Sequence, residues 1–385
     1  MKKIVIEMLV YIVGKLRNLF MRLVSILPTN NNLAIFTSYY GKYYNDNPRA
    51  ISDKLATINS NVRICWLMEN PEQYSDERHS NISFVKNDSI RALYLQARAK
   101  IWVDNCRKRR WIYKRKGQYY IQTWHGNLGL KYCEKDSEST LPKRYLKDAK
   151  HDGRISDFMI SNSRWTDELY RRAFWFNGKI LRYGTPRDDV LFEMTDNKIC
   201  SIKAKLNINN NENILLYAPT FRENRDTSVY NIDYERLISS LEKTTNEKWK
   251  ILIRFHPNLK DQCDNLNIRG VINVTDYPDL YELIGICSIF ITDYSSSMFE
   301  AAIINKPVIL YQFDYKQFMS ERKLYFNDET LPFLTVHDND ELNSIIESKR
   351  YLEDCDFKEF CFKHEVKEDG NASEKVAQFM LRLMK

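Results

Sequence analysis

From residue 33 onward, apolar residues come in short runs separated by longer stretches of helical periodicity. The runs at 33–37, 63–67, 100–103, 119–123, 158–160 and 179–181 read as strands buried on both faces, and segments such as 89–99 and 164–174 read as the helices between them. That alternation predicts a doubly wound α/β domain. Tyr183-Gly184-Thr185-Pro186-Arg187 interrupts it, and the polar stretch 195–212 predicts a linker. A second series follows at 213–217, 250–255, 271–274, 289–291 and 308–311. Two Rossmann-like domains are therefore expected, 29–195 and 196–385, facing across a cleft, with ligands at the strand C-terminal ends.

The first residues follow a different pattern. Glu7 interrupts the apolar run behind Met1-Lys2-Lys3, and no small-residue cleavage site follows, which argues against a signal peptide. The charge-free piece 8–14 is far shorter than the ~20 residues needed to span a bilayer. Lys15, Arg17 and Arg22 interleave with Leu16, Leu19, Phe20, Leu23 and Val24 up to Pro28. Residues 1–28 are thus expected to form a basic amphipathic helix lying on an anionic membrane surface.

Composition narrows the partners. Fifty-eight Lys and Arg against 51 Asp and Glu give a net charge of +7, which favours phosphates or anionic lipid. No helix-turn-helix cue and no basic–aromatic stripe supports nucleic acid. The cluster Arg107–Arg110 with Lys114–Lys116 reads as a solvated or lipid-facing surface. Eight cysteines without a CxxC pair suggest reduced thiols rather than a disulfide framework.

Chemistry-bearing residues gather just after the expected strands. Gln122-Thr123-Trp124-His125-Gly126 ends one strand of the first half. Ala218-Pro219-Thr220-Phe221-Arg222, Arg254-Phe255-His256-Pro257 and Thr292-Asp293-Tyr294-Ser295-Ser296 end three in the second. Histidine at a strand end is suited to proton transfer, although most such histidines are structural. Arg222 and Arg254 beside a hydroxyl-rich helix start would form a clamp for a pyrophosphate. Ser295 or Asp293 is expected to cap that helix. No DxD-type acid pair stands at a strand end, so no tightly bound metal is expected and Mg²⁺ is not indicated.

Six segments occur in an order and spacing that resemble the CDP-glycerol glycerophosphotransferases of teichoic acid and capsule synthesis. They are QTWHG at 122–126, YGTPRDD at 183–189, LYAPTFRE at 216–223, IRFHP at 253–257, ITDYSSSMFE at 291–300 and DGNAS at 369–373. FTSYYGKYYNDNPRA at 36–50 looks like that family's N-terminal glycine loop. Where members read WHGTP followed by a lysine, this chain has His125-Gly126-Asn127-Leu128-Gly129-Leu130-Lys131, a departure where acceptor contacts are expected.

The resemblance implies a GT-B fold and a peripheral enzyme on the cytoplasmic face of the membrane. It further implies transfer of a polyol phosphate from a CDP-polyol to a lipid-linked or polymeric acceptor, with release of CMP. On that footing His125 is the expected base and His256 the donor-side histidine. Thr220, Arg222, Arg254, Thr292, Asp293, Ser295 and Ser296 are expected around the donor phosphates, with Arg187 and Ser163 as further candidates. A nucleotide-sugar glycosyltransferase and a non-catalytic membrane scaffold are the competing readings, and a donor screen separates them.

Overall fold

The computed structural model describes residues 2–74, 79–126, 128–222, 232–255, 268–327, 330–353 and 356–385, with side chains from residue 8. The chain divides into two compact units. One comprises Met1–Asn127, Cys133–Asp189 and Lys367–Lys385, and the other Leu128–Tyr132 and Val190–Val366.

The first unit is built on seven strands: β1 (Asn30–Thr37), β2 (Arg63–Met68), β3 (Ile82–Lys86), β4 (Ala99–Asp104), β5 (Tyr119–Gln122), β6 (Phe158–Ser161) and β7 (Lys179–Arg182). All pair in parallel in the order β3-β2-β1-β4-β5-β6-β7. On one face Phe36, Trp66, Ile101 and Ile121 pack with helices Asp46–Ile58 and Ala372–Met384. On the other, Ile35, Cys65 and Trp102 pack with helix Ile90–Arg98 and with Met21 and Val24 of the first helix, α1 (Lys2–Val24). Burial of both faces explains why the central strands read as near-continuous apolar runs.

The second unit repeats the plan with β8 (Glu212–Tyr217), β9 (Lys248–Ile253), β10 (Val271–Asn273), β11 (Ile289–Thr292), β12 (Val308–Tyr311) and β13 (Leu334–Val336). These strands too are parallel, in the order β10-β9-β8-β11-β12-β13. In each sheet the order reverses beside its first strand, between β1 and β4 and between β8 and β11. Such switch points open a crevice at the strand C-terminal ends.

Three expectations are corrected. Lys367–Lys385 belongs to the first unit, not to a second domain running 196–385. The carboxylate of Asp189 explains its anchorage, accepting the amides of Ala372 at 2.9 Å and Ser373 at 2.8 Å and so capping helix Ala372–Met384. The stretch read as a linker holds helix Asp196–Lys205, capped by Thr195. Within the basic cluster, Arg107 and Lys108 are buried rather than solvated. Arg107 pairs with Glu134 at 2.9 Å and Asp152 at 3.0 Å, and Lys108 with Asp104 at 2.8 Å.

Candidate active site

At the first switch point the chain leaves β1 through a strained turn, with positive φ at Tyr39 (45°), Tyr40 (62°) and Gly41 (94°). Only glycine fits at 41, since a Cβ there would lie 2.8 Å from the carbonyl oxygen of Leu67. Asn105, which follows β4, ties three segments together. Its Oδ1 accepts from the Tyr39 amide at 2.8 Å, its Nδ2 donates to Ser38 Oγ at 3.1 Å, and its carbonyl faces His125 Nδ1 at 2.9 Å.

That last contact fixes the imidazole. A carbonyl only accepts, so Nδ1 carries the proton and Nε2 is left with its lone pair. The ring stacks on Trp124 at 4.2 Å and lies 5.8 Å from the Tyr39 ring. Burial lowers the His125 pKa below the ordinary histidine value, opposed by the Asn105 hydrogen bond and by Asp46. Burial thus favours the neutral imidazole, anchored at one nitrogen, which is the form a general base requires.

Arg187 stands beneath this loop. Its Nη1 donates to the His125 carbonyl at 2.8 Å and pairs with Asp46 at 3.2 Å, while its amide donates to Asn47 Oδ1 at 3.0 Å. Asn47 in turn donates to the Trp124 carbonyl at 3.1 Å, and the Tyr39 hydroxyl donates to Asp46 at 2.5 Å. Arg187 therefore positions the His125 loop, with its charge compensated by Asp46. Ser163 serves as a buried N-cap: Oγ accepts from the Thr166 amide at 3.1 Å and donates to Thr166 Oγ1 at 2.8 Å.

At the second switch point Thr292 Oγ1 donates to the Ala218 carbonyl at 2.7 Å, and the Thr220 amide donates to Asp293 Oδ1 at 2.8 Å. Arg222 lies inside this knot. Nε and Nη2 hold Asp314 at 2.6 and 2.9 Å, Nη2 reaches Asp293 at 2.8 Å, and Nη1 donates to the Thr220 carbonyl at 2.7 Å. Burial opposes its charge, but Asp314 and Asp293 outweigh that and raise its pKa. With all three guanidinium nitrogens engaged, Arg222, expected to clamp a pyrophosphate, cross-links the strand ends.

The helix expected to be capped by Ser295 or Asp293 begins at Ser297 and ends at Ile303. Ser296 occupies its N-cap without a side-chain cap bond, while Ser295 Oγ accepts from the Ser297 amide at 3.3 Å and lies 2.8 Å from Ser297 Oγ. Asp293 accepts from the Thr220 and Tyr294 amides instead of capping that helix. Arg254 is held by backbone carbonyls, Val274 at 3.4 Å and Tyr277, and burial lowers its pKa. His256 lies outside the described residues.

Sequence reasoning assigned no role to Lys131. Its ammonium sits 5.5 Å over the Phe318 ring, which stacks at 3.7 Å on Tyr294. The Arg222 guanidinium lies 5.1 Å from Tyr294 and 5.2 Å from Phe318, so the same two rings carry both cations. Burial pushes Lys131 down to about 8, opposed by Asp293 and reinforced by Arg322 and Arg222. A lysine set among Leu128, Gly129 and Leu130 was the available signal. Asp46 and Asn105 were missed as well, because each acts through partners remote in sequence.

The family described as CDP-Glycerol:Poly(glycerophosphate) glycerophosphotransferase matches residues 19–382. A teichoic acid glycerol-phosphate transferase of Staphylococcus aureus is 30% identical over 381 residues, covering 94% of this chain and 95% of that protein. A teichoic acid poly(glycerol phosphate) polymerase of Bacillus spizizenii is 28% identical, covering 95% and 96%. The solved structure of the wall teichoic acid polymerase TagF, as an H444N variant with CDPG, superposes with a TM-score of 0.83 at 26% identity, covering 96% of this chain and 94% of that one. The chain is a transferase and belongs to the CDP-glycerol:poly(glycerophosphate) glycerophosphotransferase family.

Proposed function

We propose that this chain transfers glycerol phosphate from CDP-glycerol to a hydroxyl of a lipid-linked or polymeric acceptor, in teichoic-acid-type synthesis at the cytoplasmic face of a membrane. The observation that carries this reading is the His125 imidazole, anchored through Nδ1, which leaves the Nε2 lone pair to accept a proton. The acceptor hydroxyl gives its proton to Nε2 as its oxygen attacks the glycerol-bearing phosphorus. The P–O bond to CMP breaks, and CMP leaves as the anion. Lys131, Arg254, Ser295 and Ser296, with His256, supply the charge and hydrogen bonds for the donor phosphates. Thr220, Arg222, Thr292 and Asp293 hold the strand ends that shape that surface. No resident metal is required by this scheme.

The test is CMP or nucleotide release across CDP-glycerol, CDP-ribitol and UDP-sugar donors, with lipid-linked and polymeric acceptors and with EDTA present. CDP-glycerol is expected to be the preferred donor, and His125→Ala to lower turnover by ~10²–10⁴-fold. Preference for a UDP-sugar, or near-normal turnover by a folded His125→Ala chain, would overturn the reading.

A further inference from the structure

A cavity of ≈300 Å³ in the first unit lies between α1, the turn after β4 and helix Lys143–Ile155. Five cations line it: Lys15 and Arg22 from α1, Arg109 and Arg110 from the turn, and Arg144 from the helix. Asp148 is the one acid in the lining. The Arg110 amide donates to Asp148 at 3.0 Å, but the Arg109 and Arg110 guanidinium groups stay 3.6 and 3.8 Å from it, too long for hydrogen bonds, and Lys15 and Arg144 make no ion pair with a described residue. Like charges gathered around one cavity repel each other unless an anion lies among them. The site is also shaped. Gly14 lets α1 settle on Trp111, where a Cβ would meet the ring at 3.2 Å, and Asn18 donates to the Trp111 carbonyl at 2.7 Å.

Beside the cavity, α1 carries an uncovered apolar stripe. Leu9, Ile12, Leu16, Leu19 and Leu23 recur at helical spacing and are 47–61% exposed, whereas Met21 and Val24 on the opposite side are buried. A stripe of this kind flanked by cations suits the boundary between lipid headgroups and acyl chains. A second cavity of ≈230 Å³ shares Arg109 and Trp111 with the first and reaches Tyr40 and Thr37 at the end of β1. Tyr40 lies 5.3 Å from the Arg109 guanidinium, and its neighbour Tyr39 packs against His125.

We infer that the larger cavity binds the diphosphate of a lipid-linked acceptor, its lipid chain lying in the bilayer beside the leucine stripe and its polar head running through the second cavity toward His125. A diphosphate brings more charge than a single phosphodiester headgroup, which matches five cations against one acid, and guanidinium forks suit phosphate oxygens. The inference rests on the reading that the chain works on lipid-linked acceptors at a membrane.

The test uses the full chain and phosphatidylcholine vesicles carrying either a long-chain prenyl diphosphate or phosphatidylglycerol, at matched surface charge. Binding to the diphosphate vesicles is expected to be roughly tenfold tighter, and the Lys15→Ala/Arg144→Ala chain to lose that ratio. Leu16→Glu/Leu19→Glu should abolish binding to both vesicle types. Binding to neither by the wild type would overturn the membrane reading itself. Equal binding to both, or a preference that survives the double alanine variant, would overturn the pocket alone. Inorganic diphosphate free in solution should bind at least ~10-fold more weakly than the vesicle-borne lipid; equal affinity would overturn the lipid part of the assignment.

Discussion

Replacing Arg222 by alanine asks whether its guanidinium serves the fold or the substrate. Arg222, Asp293 and Asp314 have side chains only 7, 2 and 6% exposed. Removing the cation leaves two buried carboxylates with no counter-charge between them. Breaking a buried pair by deleting one partner typically costs ~3–5 kcal/mol. Asp293 keeps the amides of Thr220 and Tyr294, and either acid could take up a proton, so the single-pair range is the appropriate figure for this triad. In a unit of about 180 residues, 1 kcal/mol moves the melting temperature by about 2–4 °C, so the second unit should melt roughly 6–20 °C lower.

Scanning calorimetry reads that shift, and titration with CDP-glycerol on the cold, folded chain reads donor affinity separately. Arg222→Lys should recover little, because one ammonium cannot reproduce the forked contacts to two carboxylates. Asp314→Asn should cost less in the Arg222→Ala background than alone, a coupling of ~1–3 kcal/mol. An Arg222→Ala chain with an unchanged melting temperature and lost donor affinity would refute the reasoning and return Arg222 to the phosphates.

Three further outcomes follow from charge and burial. Protonated His125 cannot accept a proton and burial lowers its pKa, so kcat/KM should fall only as pH drops through a value below the ordinary histidine range; an acid limb above pH 7 would exclude it as the base. Lys131 titrates near 8 when folded against 10.5 ordinarily, so below pH 8 its charge opposes folding and that penalty disappears as pH rises to 10.5; Lys131→Met should stabilise the chain by ~1–3 kcal/mol at pH 7 and slow glycerol phosphate transfer, which paired denaturation curves and CMP release would check. Glu368 is raised by burial to about 7, against the hydrogen bonds from Thr185, so the stability it adds is full below about pH 4.5 and is lost as pH rises through 7; the difference between wild type and Glu368→Gln should shrink over that interval.

The parallel sheets were legible because a strand buried on both faces is an uninterrupted apolar run, and β1, β2, β4, β8, β9 and β11 are such runs. The edges were not. β3 reads Ile82-Ser83-Phe84-Val85-Lys86 with only Ile82 and Val85 buried, and β13 is three residues long. Helix Asp196–Lys205 escaped notice because only Ile202 and Lys203 of its residues are buried, too few for a visible stripe. Among the motifs, position was legible and task was not. YGTPRDD and DGNAS stood out in sequence, but only the fold shows Asp189 of the first holding Ala372 and Ser373 of the second, with Thr185 holding Glu368 just before it.

The same gap governs the cations, and it has a consequence for how the site works. A net charge of +7 pointed to anionic partners but could not say which positive groups are available to them. A guanidinium paired with one carboxylate sums to zero charge and with two to −1, so it presents little positive field to its surroundings, as for Arg222 between Asp293 and Asp314. Arg107, Lys108, Arg187 and Arg222 are all compensated in this way, by Glu134 and Asp152, by Asp104, by Asp46, and by Asp293 and Asp314. Lys131, Arg254, Lys15 and Arg144 make no ion pair with a described carboxylate. On the proposed function, phosphate recognition falls to the second group, Arg254 included, while Arg222 and Arg187 hold the loops from which that group acts. Alanine scanning of the eight should divide them accordingly. The compensated cations should lower the melting temperature first, and the uncompensated ones should lose donor or vesicle affinity without a loss of melting temperature, the Lys131 variant gaining some at pH 7.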